Sequence, residues 1–235
     1  MLKKLPQGSS YIKFKGGSLM NKQNRDIDVF EIDLDETLLE AKKGFSLEDI
    51  IYLNDLKERK LVINEDINQY SVSDAIANIL KFNKQDKGKP VEERQPILLT
   101  ITSNGGSVTA GFELIDIIQN SKTPVYTINI GWQYSMGFLI GLAGHKRYCS
   151  PNATFLMHDG STVVWDSGAK AQDQMEFNKR TEERIKKYII SRSKLTEEEY
   201  DSKLRVEWYL FADEAKEKGF TDFIIGEDVD MDEII

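Results

Sequence analysis

The spacing of apolar residues changes several times along the chain, and each change marks an element. Residues 97–102 and 125–130 are apolar runs of strand length. Each feeds a glycine-bearing turn (Asn104-Gly105-Gly106, then residues 131–134) and then an apolar run of helical length, residues 111–119 and 135–143. Two strand–turn–helix units in tandem predict an α/β chain with a parallel sheet and crossover helices. Upstream, residues 27–34 alternate apolar and acidic positions, as a half-buried strand does. Residues 36–53 have no firm period, 55–59 are polar, and 60–64 read as a short buried strand. Residues 71–82 carry Val72, Ala75, Ile76, Ile79 and Leu80 as a helical stripe, which the polar loop 83–95 ends. Downstream, 146–148 and 154–157 read as short strands around the turn Ser150-Pro151-Asn152.

The segment 169–193 is a long charged helix with few apolar positions: Met175, Phe177, Ile185, Tyr188 and Ile189. A helix this polar is expected to project and meet another subunit rather than lie wholly on a core. Two short helices follow. The first, 196–204, has Thr196 as N-cap and Glu199 at N3. The second, 211–218, stops at Gly219. Residues 1–26, rich in Lys, Gly, Ser, Asn and Gln, are expected to form a mobile N-terminal arm, and 227–235 an acidic C-terminal tail.

Composition narrows the function classes. The 235 residues suffice for one large domain, and 40% hydrophobic with 30% charged residues is ordinary for a soluble globular protein. A formal net charge of −8 gives a nucleic-acid role no electrostatic support. The single Cys149 excludes an internal disulfide framework and fits a reducing compartment. No apolar run reaches the ~18 residues of a membrane span. The first ten residues lack the apolar stretch of a signal peptide. A cytoplasmic location, without membrane or nucleic-acid partners, is the expectation.

Candidate chemistry gathers in the two turns. Ser135 opens the second helix and is the candidate nucleophile. The Gly-Gly pair and the first amides of the helix, at Met136 and Gly137, are candidate oxyanion donors. The stretch is not a G-x-S-x-G elbow, because Gln133 occupies the first glycine position. Of the two histidines, His145 sits beside Lys146 and Arg147 and reads as a solvated turn residue. His158 ends an apolar strand and is the candidate general base, an imidazole titrating near pH ~6.5 when unperturbed. Asp159, Asp166, Asp173, Asp201 and Glu207 all compete to orient it, and composition does not choose among them.

Five stretches together resemble the proteolytic subunit of the Clp protease family. They are ITSNGGSVTAG (101–111), YSMG (134–137), RYCSPN (147–152), FLMH (155–158) and ADEAKEKG (212–219), spread over about residues 60–225 in the family's order. The resemblance implies a ClpP/crotonase-like fold over residues 27–226, with 169–193 as a projecting handle helix. It implies a Ser-His-acid serine peptidase built as two stacked rings, with seven subunits each. The sites would face an inner chamber fed with unfolded polypeptide by an AAA+ unfoldase. ATP would be spent by that partner, and this chain would need no cofactor or metal of its own. By position, Ser135 matches the family nucleophile and His158 its base. Gly106 and Met136 match the oxyanion-hole residues, and Glu207 stands where the family usually has aspartate. Asn104 replaces the family's usual proline, which predicts a softer turn because asparagine lacks proline's fixed φ. Glu207 and Asn104 also motivate a second reading, a catalytically weak or inactive structural subunit of a mixed ring. A third is a crotonase-type acyl-CoA enzyme, against which the pairing of Ser135 with His158 argues.

Overall fold

The computed structural model describes residues 46–160, 167–203 and 205–234, so the expected arm at 1–26 and strand at 27–34 lie outside the described residues. The chain divides into two units, residues 1–54 and 55–235. Of the first, 46–54 are described. Ser46 and Asp49 exchange hydrogen bonds of 2.8 and 3.1 Å and cap helix α1 (Leu47–Lys57), a helix that the aperiodic sequence did not announce.

Strands β1 (Lys60–Ile63), β2 (Ile97–Ile101), β3 (Val125–Asn129), β5 (Lys146–Cys149) and β8 (Phe223–Ile224) form a five-stranded sheet in that order. Every neighbouring pair in it is parallel. β2 is apolar and buried at four of its five positions, Thr100 excepted, because both faces of a parallel sheet are covered. Helices α2 (Gln69–Gln85) and α3 (Val108–Asn120) are the crossovers, burying Val72, Ile79 and Phe82 from one and Leu114, Ile115 and Ile118 from the other. Asn68 caps α2, accepting from the amides of Tyr70 and Ser71 while its own N–H donates to Ser71 Oγ. The fold is mixed α/β with a parallel sheet and seven α-helices among the described residues, the class expected from the strand–turn–helix units.

A second sheet was not foreseen. β4 (Trp132–Tyr134), β6 (Thr154–Met157) and β7 (Trp208–Phe211) form it, β4 parallel and β7 antiparallel to β6. The turn expected at 131–134 is therefore only a corner at Gly131. Buried Asn129 holds that corner, accepting from Gly131 N–H at 3.1 Å and donating to the Thr154 carbonyl at 3.0 Å. Beyond it the chain runs on as strand. Likewise residues 208–210, to which the sequence assigned no element, form a strand with Phe211, and α7 (Ala212–Glu217) begins one residue after the helix start expected at 211. β5 and β6, adjacent in sequence, belong to different sheets. β3 and β5 thus each hand their chain to the second sheet, at β4 and β6, and helix α4 (Met136–Leu142), buried at every residue, is packed in the core behind that hand-over.

Helix α5 (Gly168–Arg192) has Ile189 as its one fully buried residue. Met175 and Phe177 are 64% and 60% exposed. Its C-terminal end is anchored: Tyr188 Oη donates to the Leu139 carbonyl at 2.9 Å, and Arg192 donates to the carbonyls of Leu142, Ala143 and Gly144. Helix α6 (Glu197–Lys203) starts as the sequence indicated, with Thr196 Oγ1 accepting from Glu199 N–H at 3.1 Å. Among the described residues no helix is long and apolar enough to cross a membrane.

At the start of the parallel sheet, Asp86 is fully buried. Arg59 grips it with two bonds of 2.5 and 3.0 Å, and Lys89 and Thr123 add bonds of 3.0 and 3.1 Å. The Arg59 guanidinium holds this carboxyl far below the usual carboxylate range. Removing one partner strands the other's charge, so Asp86→Ala is expected to cost about 3–5 kcal/mol, measured by denaturant unfolding. The native pKa is depressed, so the stabilisation is complete above the unfolded pKa of ~3.9 and is lost as pH falls below it. The stability difference between wild type and Asp86→Ala is expected to shrink across that acid window.

Candidate active site

Ser135 stands between β4 and α4 at φ 52°, ψ −120°, a left-handed conformation unusual for a residue with a side chain. Its N–H donates to the Leu156 carbonyl at 3.0 Å, and its carbonyl accepts from Leu139 N–H at 3.2 Å. A sharp strand-to-helix turn of this kind lifts a hydroxyl clear of the backbone, the service a G-x-S-x-G elbow performs, here without the first glycine.

The turn after β2 closes on the same point. A Cβ on Gly105 would lie 2.6 Å from Ser135 Cβ and 3.0 Å from the Met136 nitrogen, so only glycine fits. Gly106, at φ +142°, is bridged in parallel to Ile67. That bridge uses the Gly105 carbonyl, accepting from Ile67 N–H, and the Ser107 N–H, donating to the Ile67 carbonyl, each at 2.7 Å. In a parallel bridge the central residue's own N–H points to the other side, so the Gly106 amide is left out of the ladder. The Met136 amide is the first of α4 and has no carbonyl one turn behind it within the helix.

The β6–β7 register brings the second pair together. Met157 is opposite Trp208, which sets His158 opposite Glu207 one residue beyond the ladder. His158 Nδ1 lies 3.0 Å from Glu207 Oε1. A carboxylate only accepts, so Nδ1 carries a hydrogen, and in the neutral imidazole Nε2 then holds the lone pair. Nε2 is buried and has no hydrogen-bond partner among the described residues, Ser135 included. The His158 side chain is 23% exposed and that of Glu207 58%.

Ser135, Met136 and His158 line one cavity of about 350 Å³, which Phe138, Leu139 and Ile189 make apolar on one side. Asp201, another candidate acid, lines it too but is committed to Lys186, which pairs with it at 2.7 Å and with Glu197 at 2.9 Å. Those pairs tie α6 to α5 just ahead of Glu207. Asp159 lines the cavity without a described bond to His158, Asp173 lies on exposed α5, and Asp166 lies outside the described residues. His145 stays at a surface turn, its Nδ1 accepting from Val125 N–H at 3.1 Å.

Residues 45–228 match the family model of Clp protease. The chain belongs to the Clp protease family. That membership carries the ClpP-like α/β fold and the class of serine peptidases, and it spans every element of both sheets. The sequence reasoning overlooked Lys186 because its partners are not on its own helix; only the clustered acids of α6, Glu197 to Glu199, hinted at an outside cation.

The left-handed Ser135 makes a test of strain. A residue with a Cβ in such a region costs about 1–3 kcal/mol, which glycine escapes apart from its own entropy. Ser135→Gly is expected to unfold at higher denaturant than Ser135→Ala, by about 1 kcal/mol. Equal stabilities would mean that the backbone stores no strain there.

Proposed function

We propose that this chain is a serine endopeptidase. Ser135 Oγ attacks the carbonyl of an extended polypeptide while His158 Nε2 takes its proton. The amides of Gly106 and Met136 receive the oxyanion. His158 returns the proton to the leaving amine, and a water then cleaves the acyl-Ser135 ester by the same route. Glu207 holds the Nδ1–H tautomer and stabilises the imidazolium. The observation that carries this reading is His158 itself: Nδ1 is engaged by a carboxylate, Nε2 has no partner among the described residues, and the residue lines the same cavity as Ser135. An apo site often leaves the serine–histidine bond unformed until substrate arrives. The apolar wall suits an apolar side chain beside the cut.

Assembly follows from α5. A helix with Met175 and Phe177 exposed and nothing buried before its last turns is supported as a contact between subunits, here in stacked seven-membered rings around a chamber. An AAA+ unfoldase using ATP is the partner that would deliver unfolded chains, and a reducing cytoplasm fits the lone Cys149. The exposure of Glu207 favours one competing reading, an inactive subunit lending structure to a mixed ring, since a solvated carboxylate orients an imidazole weakly.

Kinetics on a fluorogenic peptide separate the two. Ser135→Ala is expected to abolish hydrolysis with assembly intact on a sizing column. Glu207→Gln is expected to lower turnover roughly 10²–10³-fold, because an amide cannot stabilise the imidazolium. Glu207→Asp, about one methylene short of His158, is expected to lose roughly tenfold or more. A wild-type preparation without activity that Ser135→Ala removes would favour the structural subunit.

A further inference from the structure

The turn that carries the Gly106 amide has two consecutive glycines at its apex, at φ +103° and +142°, the least stiff backbone available. An oxyanion donor must nonetheless be aimed before the charge develops. The backbone on either side of the apex is fastened. Ser103 N–H donates to the Trp132 carbonyl at 3.1 Å, and Tyr134 N–H donates to the Ser103 carbonyl at 2.9 Å. The Ile67 bonds hold the far side. Asn104, just before the glycines, adds a side-chain cross-tie. The Trp132 indole Nε1–H donates to Asn104 Oδ1 at 3.1 Å, and Asn104 Nδ2 donates to Asp66 Oδ1 at 3.3 Å.

The cross-tie therefore links the loop before α2, the Gly-Gly turn and β4, the strand that leads into Ser135. Its cost is visible: Asn104 is exposed, and Trp132 keeps 40% of its surface in solvent, so neither is placed there by burial. Within the turn, Gly105 N–H donates to Ser103 Oγ at 3.1 Å, and the Gly105 carbonyl, which shares its peptide plane with the Gly106 N–H, accepts from Ile67 N–H at 2.7 Å. The direction of the Gly106 N–H thus depends on how the Ile67 loop sits against the Gly105 backbone, and the Asn104 amide, bonded to Asp66 next to Ile67 and to Trp132 of β4, braces that placement.

We infer that Asn104 and Trp132 are positioning residues for the oxyanion hole, acting through the Gly105-Gly106 turn rather than on substrate. This rests on the serine-peptidase reading above. The softer turn expected from asparagine is, on this inference, stiffened by hydrogen bonds.

Trp132→Phe deletes the indole N–H and keeps an aromatic ring on the sheet face; Asn104→Ala deletes the other partner. Both are made in the full chain, with two readouts. One is kcat and KM on a fluorogenic peptide. The other is affinity for a peptide boronate, which forms a tetrahedral adduct on a reactive serine and sets a boron hydroxyl in the oxyanion position. Each variant is expected to lose roughly 5–20-fold in kcat, with KM within about twofold and the boronate weakened by the same factor as kcat/KM. The double variant is expected to lose no more than the worse single one, because both break one link. Melting temperatures are expected to stay within about 2 °C. Trp132→Phe with wild-type kcat and boronate affinity would overturn the inference. So would a loss confined to Trp132→Phe with Asn104→Ala unaffected, which would assign the effect to ring packing. Should Trp132→Phe fail to fold, Asn104→Ala carries the same test alone. If the wild type forms no boronate adduct at all, the peptidase reading fails and this inference falls with it; an adduct made equally well by the variants overturns only the inference.

Discussion

Two corners of the chain meet with no room for a side chain between them. The Gly105 backbone lies against Ser135 so closely that a Cβ would come within 2.6 Å of the serine's own. Everything chemical in the molecule depends on that approach. It is why the turn after β2 ends in glycines and why the first amide of α4 comes close to that turn. It is reached because β2 and β3 both run past the edge of the first sheet. The chain from β2 then bridges Ser103 to Gln133, and the chain from β3 continues as β4. Core packing supports the arrangement from behind, where α4 is buried at every residue.

The histidine and its acid depend on a different constraint, the register of β7 on β6. A slip of one residue would turn Glu207 to the other face of the sheet. Little else holds this pair: Glu207 is more than half exposed, and the helix ahead of it is tied by partly solvated ion pairs around Lys186. The molecule is thus stiff around its serine and looser around its acid. The buried charged cluster of Arg59 with Asp86 lies at the opposite end of the parallel strands and serves the sheet, not the site.

How legible this was in the sequence follows from element length. β2, α3, β3 and α4 are long or apolar enough to declare a period, and the two turns between them exposed Ser135, Gly105 and Gly106 as candidates. β4, of three residues, was read as a turn; β8, of two, is too short to show a period; and β7, apolar at all four positions, offers no alternation to mark it. Missing β7 is what left five carboxylates in competition, because the neighbour of His158 is decided by a strand pairing that residue spacing does not reveal. Resemblance pointed to Glu207, and the register explains why residue 207 sits beside residue 158. α1 was missed for another reason: its apolar and polar residues are not segregated to faces, and only the Ser46–Asp49 cap marks its start. Asn104 was read through its lack of proline's rigidity, whereas its amide has partners far away in sequence, Asp66 and Trp132.

The central claim is that Ser135 is a nucleophile made reactive by His158. Labelling with a fluorophosphonate probe, read by peptide mass spectrometry, tests it most directly, because the reagent reports an activated hydroxyl without needing a chosen substrate or a partner. The account predicts a single adduct on the peptide containing Ser135 in the wild type, and none in His158→Ala under the same conditions. Absence of the wild-type adduct, or an equal adduct in His158→Ala, would contradict it.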